Sequence, residues 1–239
     1  SSFVYDVFFN GEQISTEFMA GNLSVFGSCQ HFGCDYHIQQ IITNFTYNQM
    51  IQITDKSQCC GCTACASICA HDAITMQPDT LGFLYPVVDK DKCVDCGLCE
   101  KVCAFNDHYD TSLNLPKPDA YAARHKDMKE VETSRSGAAF IAISDYVLEN
   151  GGVVYGAGYT DHFRVVHKRA TTKEERDEFK GSKYVQSDLD HVFRQVKKDL
   201  KDGLTVLFSG TPCQTAGLNS YIGKKLRENL ILVDIVCHG

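Results

Sequence analysis

Three observations predict the fold class: an α+β module at residues 50–110, followed by an α/β domain at residues 120–239. Cysteines stand at positions 59, 62, 65 and 69 and again at 93, 96, 99 and 103, one C-x2-C-x2-C-x3-C string repeated at an offset of 34 residues. Two strand-like pieces lie between the strings. Beyond residue 120, short apolar runs of strand length alternate with stretches of helical period.

The cysteine repeat carries the chemistry. Its spacing places three thiolates on three corners of one iron cube, while the fourth, carried away on a short helix, reaches a second cube. The expected sets are Cys59, Cys62, Cys65 and Cys103 on one 4Fe-4S cluster, and Cys93, Cys96, Cys99 and Cys69 on the other. This is a ferredoxin-like two-cluster module, most simply read as moving electrons. Zinc sites pair C-x2-4-C units a dozen or more residues apart, so a third cysteine two residues on is surplus to a tetrahedron. A disulfide framework suits neither the odd total of thirteen cysteines nor loops this tight. Ala70 and Ala104 stand where the bacterial pattern usually has proline, which affects packing around the sulfur and not ligation. Cys60 is an extra thiol at the position of Val94 in the second string, and is expected not to ligate.

Residues 1–49 look unlike the rest: they hold no Lys or Arg, and no period of 3.6 or 2 persists through them. Met50 is expected to be the native start, with the preceding segment an upstream extension. Cys29, His31, Cys34 and His37 have near-metal spacing there, which is read as chance. Met50–Thr54 reads as a strand leading into the first loop. Ala73–Met76 and Phe83–Val88 read as strands flanking a turn at Asp79–Gly82. Residues 111–119, with Pro116 and Pro118, read as a linker.

In the α/β part, residues 120–123 are a candidate strand. Ser134 or Ser136 is expected to cap a helix whose apolar face is Phe140, Ile143, Tyr146 and Val147, stopped by Gly151 and Gly152. Val153–Tyr155 is a strand closed by Gly156-Ala157-Gly158, and Arg164–His167 another. Thr172 with Glu175 resembles a capping box. Ser187 is expected to cap a helix carrying Leu189, Val192, Phe193, Val196 and Leu200. Leu204–Phe208 is a buried strand running into a Ser209–Pro212 turn and a helix through Leu218 and Tyr221. Leu230–Val236 is the last strand, and the chain stops at Cys237-His238-Gly239 with no covering helix, as if cut off at its own active-site edge. The α/β domain is therefore expected to be incomplete. Cys213 and Cys237 are read as inert thiols, and His238 has no assignable partner.

Composition narrows the functions. The net charge is −7, and residues 50–110 carry nine acids against four bases. No basic stripe suits nucleic acid, and no apolar run reaches the length of a membrane span. The start has no basic leader, and oxygen-sensitive clusters belong in a reducing cytoplasm. Clusters pass single electrons, so a two-electron substrate needs a converter, of which a flavin is the usual one.

From about Met50 to Gly239 the sequence resembles the coenzyme F420 hydrogenase/dehydrogenase beta-subunit family. The resemblance rests on the doubled cysteine string followed in order by Ser134-Arg-Ser-Gly137, Gly151-Gly-Val-Val-Tyr-Gly156, Gly181-Ser-Lys-Tyr-Val-Gln-Ser187, Ser209-Gly-Thr-Pro-Cys-Gln214 and Asp234-Ile-Val-Cys-His-Gly239. Members of that family are iron–sulfur flavoproteins, so the resemblance implies FAD held around Ser136, Gly137, Gly152, Lys183, Tyr184, Ser209, Thr211 and Gln214. In that reading Lys183 neutralises charge on flavin or phosphate, and the Thr211–Gln214 turn brings N–H groups to the ring. Family members extend well past the Cys-His-Gly string. The implied function is an oxidoreductase subunit passing electrons between two clusters and FAD, and on to a small-molecule hydride acceptor such as a deazaflavin. Its partner would be a redox protein or a hydrogenase or dehydrogenase subunit. The alternative is an electron-transfer protein without flavin, and a third reading is an inert truncated chain whose open sheet edge invites aggregation.

Overall fold

The computed structural model describes residues 5–7, 50–106, 109–134, 136–160 and 164–237. A five-stranded mixed sheet organises them, built from β1 (Tyr5–Val7), β4 (Val153–Tyr159), β5 (Val165–Ala170), β6 (Val206–Gly210) and β7 (Leu230–Ile235) in the order β1-β7-β6-β4-β5. β4, β6 and β7 run parallel, while β5 and β1 close the edges antiparallel. A separate hairpin, β2 (Ile74–Pro78) with β3 (Leu84–Val88), belongs to the cysteine-rich part. β7 is therefore not left as an edge, because Tyr5–Val7 pairs along its outer side.

Both faces of the parallel strands are covered, which is why their sequences are apolar runs and not alternating ones. Val153, Tyr155, Val206, Phe208, Leu230 and Leu232 share one buried core, while Val154, Leu207 and Val233 share another. The second face is roofed by α4 (Ala139–Glu149), through Val147 with Phe140, Ile143 and Leu148. The first is roofed by α6 (Val192–Lys201) and α7 (Pro212–Ile222), through Phe193, Val196, Leu200 and Leu218. The same core continues into Ile51, Ala64, Cys65, Ile74, Cys99 and Val102. The cysteine-rich part and the sheet thus share one apolar interior.

Several local expectations are corrected. Met50–Thr54 forms no strand; Ile51 is buried and its N–H goes to Cys99 Sγ at 3.2 Å. Residues 120–123 are also not a strand. β4 runs through Gly156 and Gly158 to Tyr159, paired with β5 throughout, and the glycine at 156 leaves room for the Phe179 ring, which a Cβ would approach to 2.6 Å. Neither Ser134 nor Ser136 caps α4: Ser134 ends α3 (Met128–Ser134), and α4 starts at left-handed Ala138 after a kink at Gly137. Tyr146 points to solvent, and Ile141 and Ser144 take the buried places instead. α6 begins after His191, not at Ser187. Before α5 (Lys173–Asp177) the capping box is half made: Thr172 Oγ1 accepts from Glu175 N–H, while Glu175 accepts from the N–H and hydroxyl of Thr171.

The hairpin turn forms as expected. Asp79 Oδ1 accepts from Leu81 and Phe83 N–H at 2.9 and 3.0 Å, an Asx arrangement that fixes the reversal. Two buried ionic groups lock elements together, one joining α6 to the sheet and the other joining α5 to α4. Asp199 on α6 accepts from Tyr155 OH at 2.6 Å and from Arg169 Nε at 2.8 Å. Arg176 on α5, only 1% exposed, reaches Ile141 O, Ser144 Oγ and Asp145 on α4.

Candidate metal centre

The sequence repeat is also a conformational repeat. Gly61 and Asp95 occupy the same place in the two strings and both have positive φ (65° and 51°), as do Thr63 and Gly97 (64° and 72°). Each central cysteine, Cys62 or Cys96, is thus flanked by two left-handed residues, which curl the loop around it. Short helices follow, α1 (Ala64–Ile68) and α2 (Leu98–Val102), closed by matching bonds from Cys69 N to Ala66 O and Cys103 N to Glu100 O. Thr63 holds a conformation costing about 1–2 kcal/mol for a non-glycine residue, a price the second loop avoids with Gly97.

The helices carry the fourth cysteines across. Cys69 lines one concavity with Cys93, Cys96 and Cys99, walled by Met50, Ile74, Val88 and Leu98. Cys103 lies within electrostatic reach of Cys59 and Cys62, as Cys65 does of Cys59, Cys62 and Cys103. Backbone N–H groups aim at the sulfurs: Ala73 at Cys69 (3.4 Å), Ile51 at Cys99, Gly61 at Cys59 and Phe105 at Cys103. Burial pushes the thiols of Cys59, Cys65, Cys99 and Cys103 upward, so the fold by itself does not favour thiolates there. A bound metal would supply the charge that stabilises them. Thr63 Oγ1 and Ser67 Oγ are buried with no protein partner. Four soft donors per set, an apolar wall and orphaned hydroxyls fit a sulfide-bearing cluster. Among the described residues, no three His, Cys, Asp or Glu side chains gather as a single-ion site.

The two sets differ in surroundings. Cys96 is exposed, with Val94 and Leu98 exposed beside it. The first set faces inward: a Cβ placed on Gly217 of α7 would lie 2.7 Å from Cys62 Sγ. Arg194 on α6 clamps the end of α1, donating to Ala66 O, Ser67 O and Cys69 O at 2.8–3.2 Å and pairing with Asp72. Gln186 donates to Cys60 O and accepts from Leu84 N, tying the 181–187 loop to the first cysteine loop and the hairpin.

Around the carboxyl end of β6, side chains from three elements interlock. His167, buried on β5, has Nε2 3.0 Å from Ser209 O and Nδ1 2.9 Å from Ser187 Oγ. Facing a carbonyl, Nε2 must carry the proton, so Nδ1 accepts from Ser187, whose oxygen accepts from Gln214 Nε2 at 2.9 Å. Gln214 Oε1 accepts from Thr211 N–H at 3.0 Å, completing a capping box with Pro212 at the first helical position. Burial holds the His167 imidazolium down to about 4. His167 was not singled out from sequence; its only signal was a histidine on the apolar run of an edge strand.

The residues expected around a flavin divide by position. Ser209, Thr211 and Gln214 lie at this edge, though the Gln214 amide is spent at both ends. Lys183 donates to Glu178 O and Lys180 O, and its burial lowers its pKa to about 8. Tyr184 is exposed. Ser136 and Gly137 precede α4, where Gly137 passes so close to Ala123 O that a Cβ would be 2.7 Å away. Gly152 is at the opposite, amino end of β4, packed on Thr205 O and Val147. Arg135, His238 and the residues at 29, 31, 34 and 37 fall outside the described residues.

Cys213, at the start of α7, meets the first loop. Its sulfur lies 3.0 Å from Thr211 Oγ1. Interaction with Cys60, aided by Thr211, lowers the Cys213 thiol, while interaction with Cys213 and Cys62, together with burial, raises that of Cys60.

Residues 58–106 match the 4Fe-4S dicluster domain, so a ferredoxin-type domain of iron–sulfur electron transfer is present there. No curated protein matches the chain. Among the described residues, no helix is long and apolar enough to cross a membrane.

Proposed function

We propose that this protein relays electrons through two 4Fe-4S clusters, between a partner docking at the exposed second set and an acceptor at the carboxyl edge of the sheet. Cys59, Cys62, Cys65 and Cys103 would hold the inner cluster, and Cys69, Cys93, Cys96 and Cys99 the outer one. The observation that carries the reading is the exchange of fourth cysteines: Cys69 sits with the second string and Cys103 with the first. Clusters supply single-electron transfer; the chain's part is to hold the sulfurs, shield the inner set and direct N–H dipoles that set potential. The acidic balance of residues 50–110 favours a basic partner face, and association that weakens with salt.

The acceptor in the finer reading is FAD, which delivers hydride equivalents to a small molecule, as the family resemblance implies. The meeting of the 181–187 loop and the 209–214 turn beside the inner set supports it. The internal engagement of Gln214 and Lys183, and the remote Gly152, favour a relay without flavin. Iron, sulfide and flavin analysis of protein made without oxygen tests both. About eight irons per chain supports the relay, and stoichiometric flavin adds the finer reading. Cys69→Ser and Cys103→Ser should each abolish a different cluster's electron paramagnetic resonance signal. Zinc, or no iron, overturns the relay.

A further inference from the structure

The two cysteine sets share one repeat but not one environment. Hydrogen bonds to sulfur, solvent exposure and nearby charge each act on a cluster's potential. Backbone N–H groups aim at sulfurs of both sets, so the first does not separate them. Solvent does. Cys96 of the outer set is exposed, whereas a Cβ on Gly217 of α7 would lie 2.7 Å from Cys62 Sγ of the inner set. Water beside the outer set stabilises the added negative charge of reduction, and burial withholds that help from the inner one.

Charge acts in the same direction, because the helices that deliver the exchanged cysteines end differently. At the end of α1, which delivers Cys69 to the outer set, Arg194 Nη2 donates to Cys69 O at 2.8 Å and to Ala66 O at 3.2 Å. Its Nε donates to Ser67 O at 3.0 Å. At the end of α2, which delivers Cys103 to the inner set, the neutral Asn106 amide donates to Glu100 O. Glu100 itself brings a carboxylate to the position that Ala66 holds in α1. Asp72 pairs with Arg194 at 2.7 Å, but its side chain is 70% exposed against 34% for Arg194, so water screens the carboxylate more than the guanidinium. Asp91 and Asp95, beside the outer loop, are exposed and screened likewise.

We propose that Arg194, together with the solvent at Cys96, makes the outer site the easier of the two to reduce, so that the chain fills from its exposed face inward. The first electron rests at the docking face, and the second occupies the inner site beside the sheet edge. An acceptor at that edge is then met by a chain holding two electrons, one per site, the number a two-electron reduction consumes. Arg194 reaches the α1 carbonyls and acts on the outer site through Cys69, so it is a positioning residue. This inference rests on the cluster relay proposed above, which it deepens by ordering the two sites, and not on FAD.

The test uses the holoprotein, purified without oxygen, first assayed for iron and then titrated with dithionite while its electron paramagnetic resonance signals are followed. The signal missing from Cys69→Ser is expected to appear at a higher potential than the signal missing from Cys103→Ser. Arg194→Gln should make reduction of the outer site about three- to tenfold less favourable, a fall of up to about 59 mV for one electron, and move the inner potential far less. Asp72→Asn removes the opposing carboxylate, leaves the carbonyl clamp in place and should move the outer potential upward. Iron-replete native protein whose inner signal appears first overturns the order of filling. An outer potential that neither substitution moves, or that both move the same way, overturns the role of Arg194. Where Arg194→Gln sheds its outer iron, Asp72→Asn decides: an upward shift supports the role and no shift overturns it. Native protein lacking iron overturns the relay beneath, and the iron assay identifies that failure separately.

Discussion

Gly217→Ala sets two known effects against each other at the contact between α7 and the inner cysteine loop. In an open helix interior the change should help, since alanine is favoured over glycine by about 1 kcal/mol. Here the new methyl would lie 2.7 Å from Cys62 Sγ and 3.0 Å from Cys62 Cβ, with Phe193 Cε2 at 3.6 Å behind. The first of these is shorter than real contacts and the second is tight, so the loop or the helix must move by a few tenths of an ångström. Overpacking of this kind costs about 1–3 kcal/mol, which equals or exceeds the propensity gain. A free cysteine could rotate aside, but a cysteine bound to iron cannot leave its place without loosening the metal. The variant is therefore expected to bind less iron at the inner site, and its holoprotein to melt lower by up to about 2 kcal/mol, or several degrees for a chain of this size. Metal analysis and thermal unfolding, both without oxygen, read the two effects. A variant with full iron that melts higher than the native protein would show that α7 does not confine Cys62.

Arg194→Ala removes the clamp on the last carbonyls of α1 and should cost about 1.5–3 kcal/mol in denaturant unfolding, with no share assigned to solvent-exposed Asp72. Arg194→Lys should recover only part, because a point charge cannot reach three carbonyls as the guanidinium fork does. Asp199→Asn leaves Arg169 without its carboxylate and should cost about 3 kcal/mol, the lower end for a buried pair, since Arg169 is about one-third exposed. Tyr155→Phe should cost only about 1 kcal/mol. For His167, the folded value near 4 lies below the unfolded value near 6.5. The unfolded chain therefore binds the proton first as pH falls. Stability is complete above the unfolded value, about 1 kcal/mol is lost by about pH 5.5, and the loss approaches about 3 kcal/mol near the folded value. His167→Gln should remove this pH dependence, and a pH-independent difference between the two proteins would refute the assignment.

What the sequence revealed was mainly local or repetitive. The doubled cysteine string fixes its own loops, because the left-handed places at 61, 63, 95 and 97 recur with the spacing. The Asp79–Gly82 turn and the Pro212 helix start carry their capping chemistry within a few residues. The errors came where distant parts decide. Met50–Thr54 has strand composition, but Ile51 gives its N–H to a sulfur 48 positions away. Ser187 has a capping residue's chemistry, yet His167 and Gln214 claim its hydroxyl. Gly156 reads as a strand stop only until Phe179 is seen against it. His167 carried no local pattern, and its significance comes from what Ser187 and Ser209 bring beside it.

The cysteine-rich part and the sheet have a common interior: Cys65, Cys99 and Ile74 belong to the same buried cluster as Phe193, Phe208 and Leu232. Damage to the iron would consequently be felt as a packing fault in the sheet, not as the loss of a detachable ornament. Oxidised copies of the protein would soften as a whole and become targets for proteases, which read local opening. Faster digestion within β6 and α7 after air exposure than before it would record this. In such a molecule the inventory of working electron carriers is policed by the protein's own rigidity.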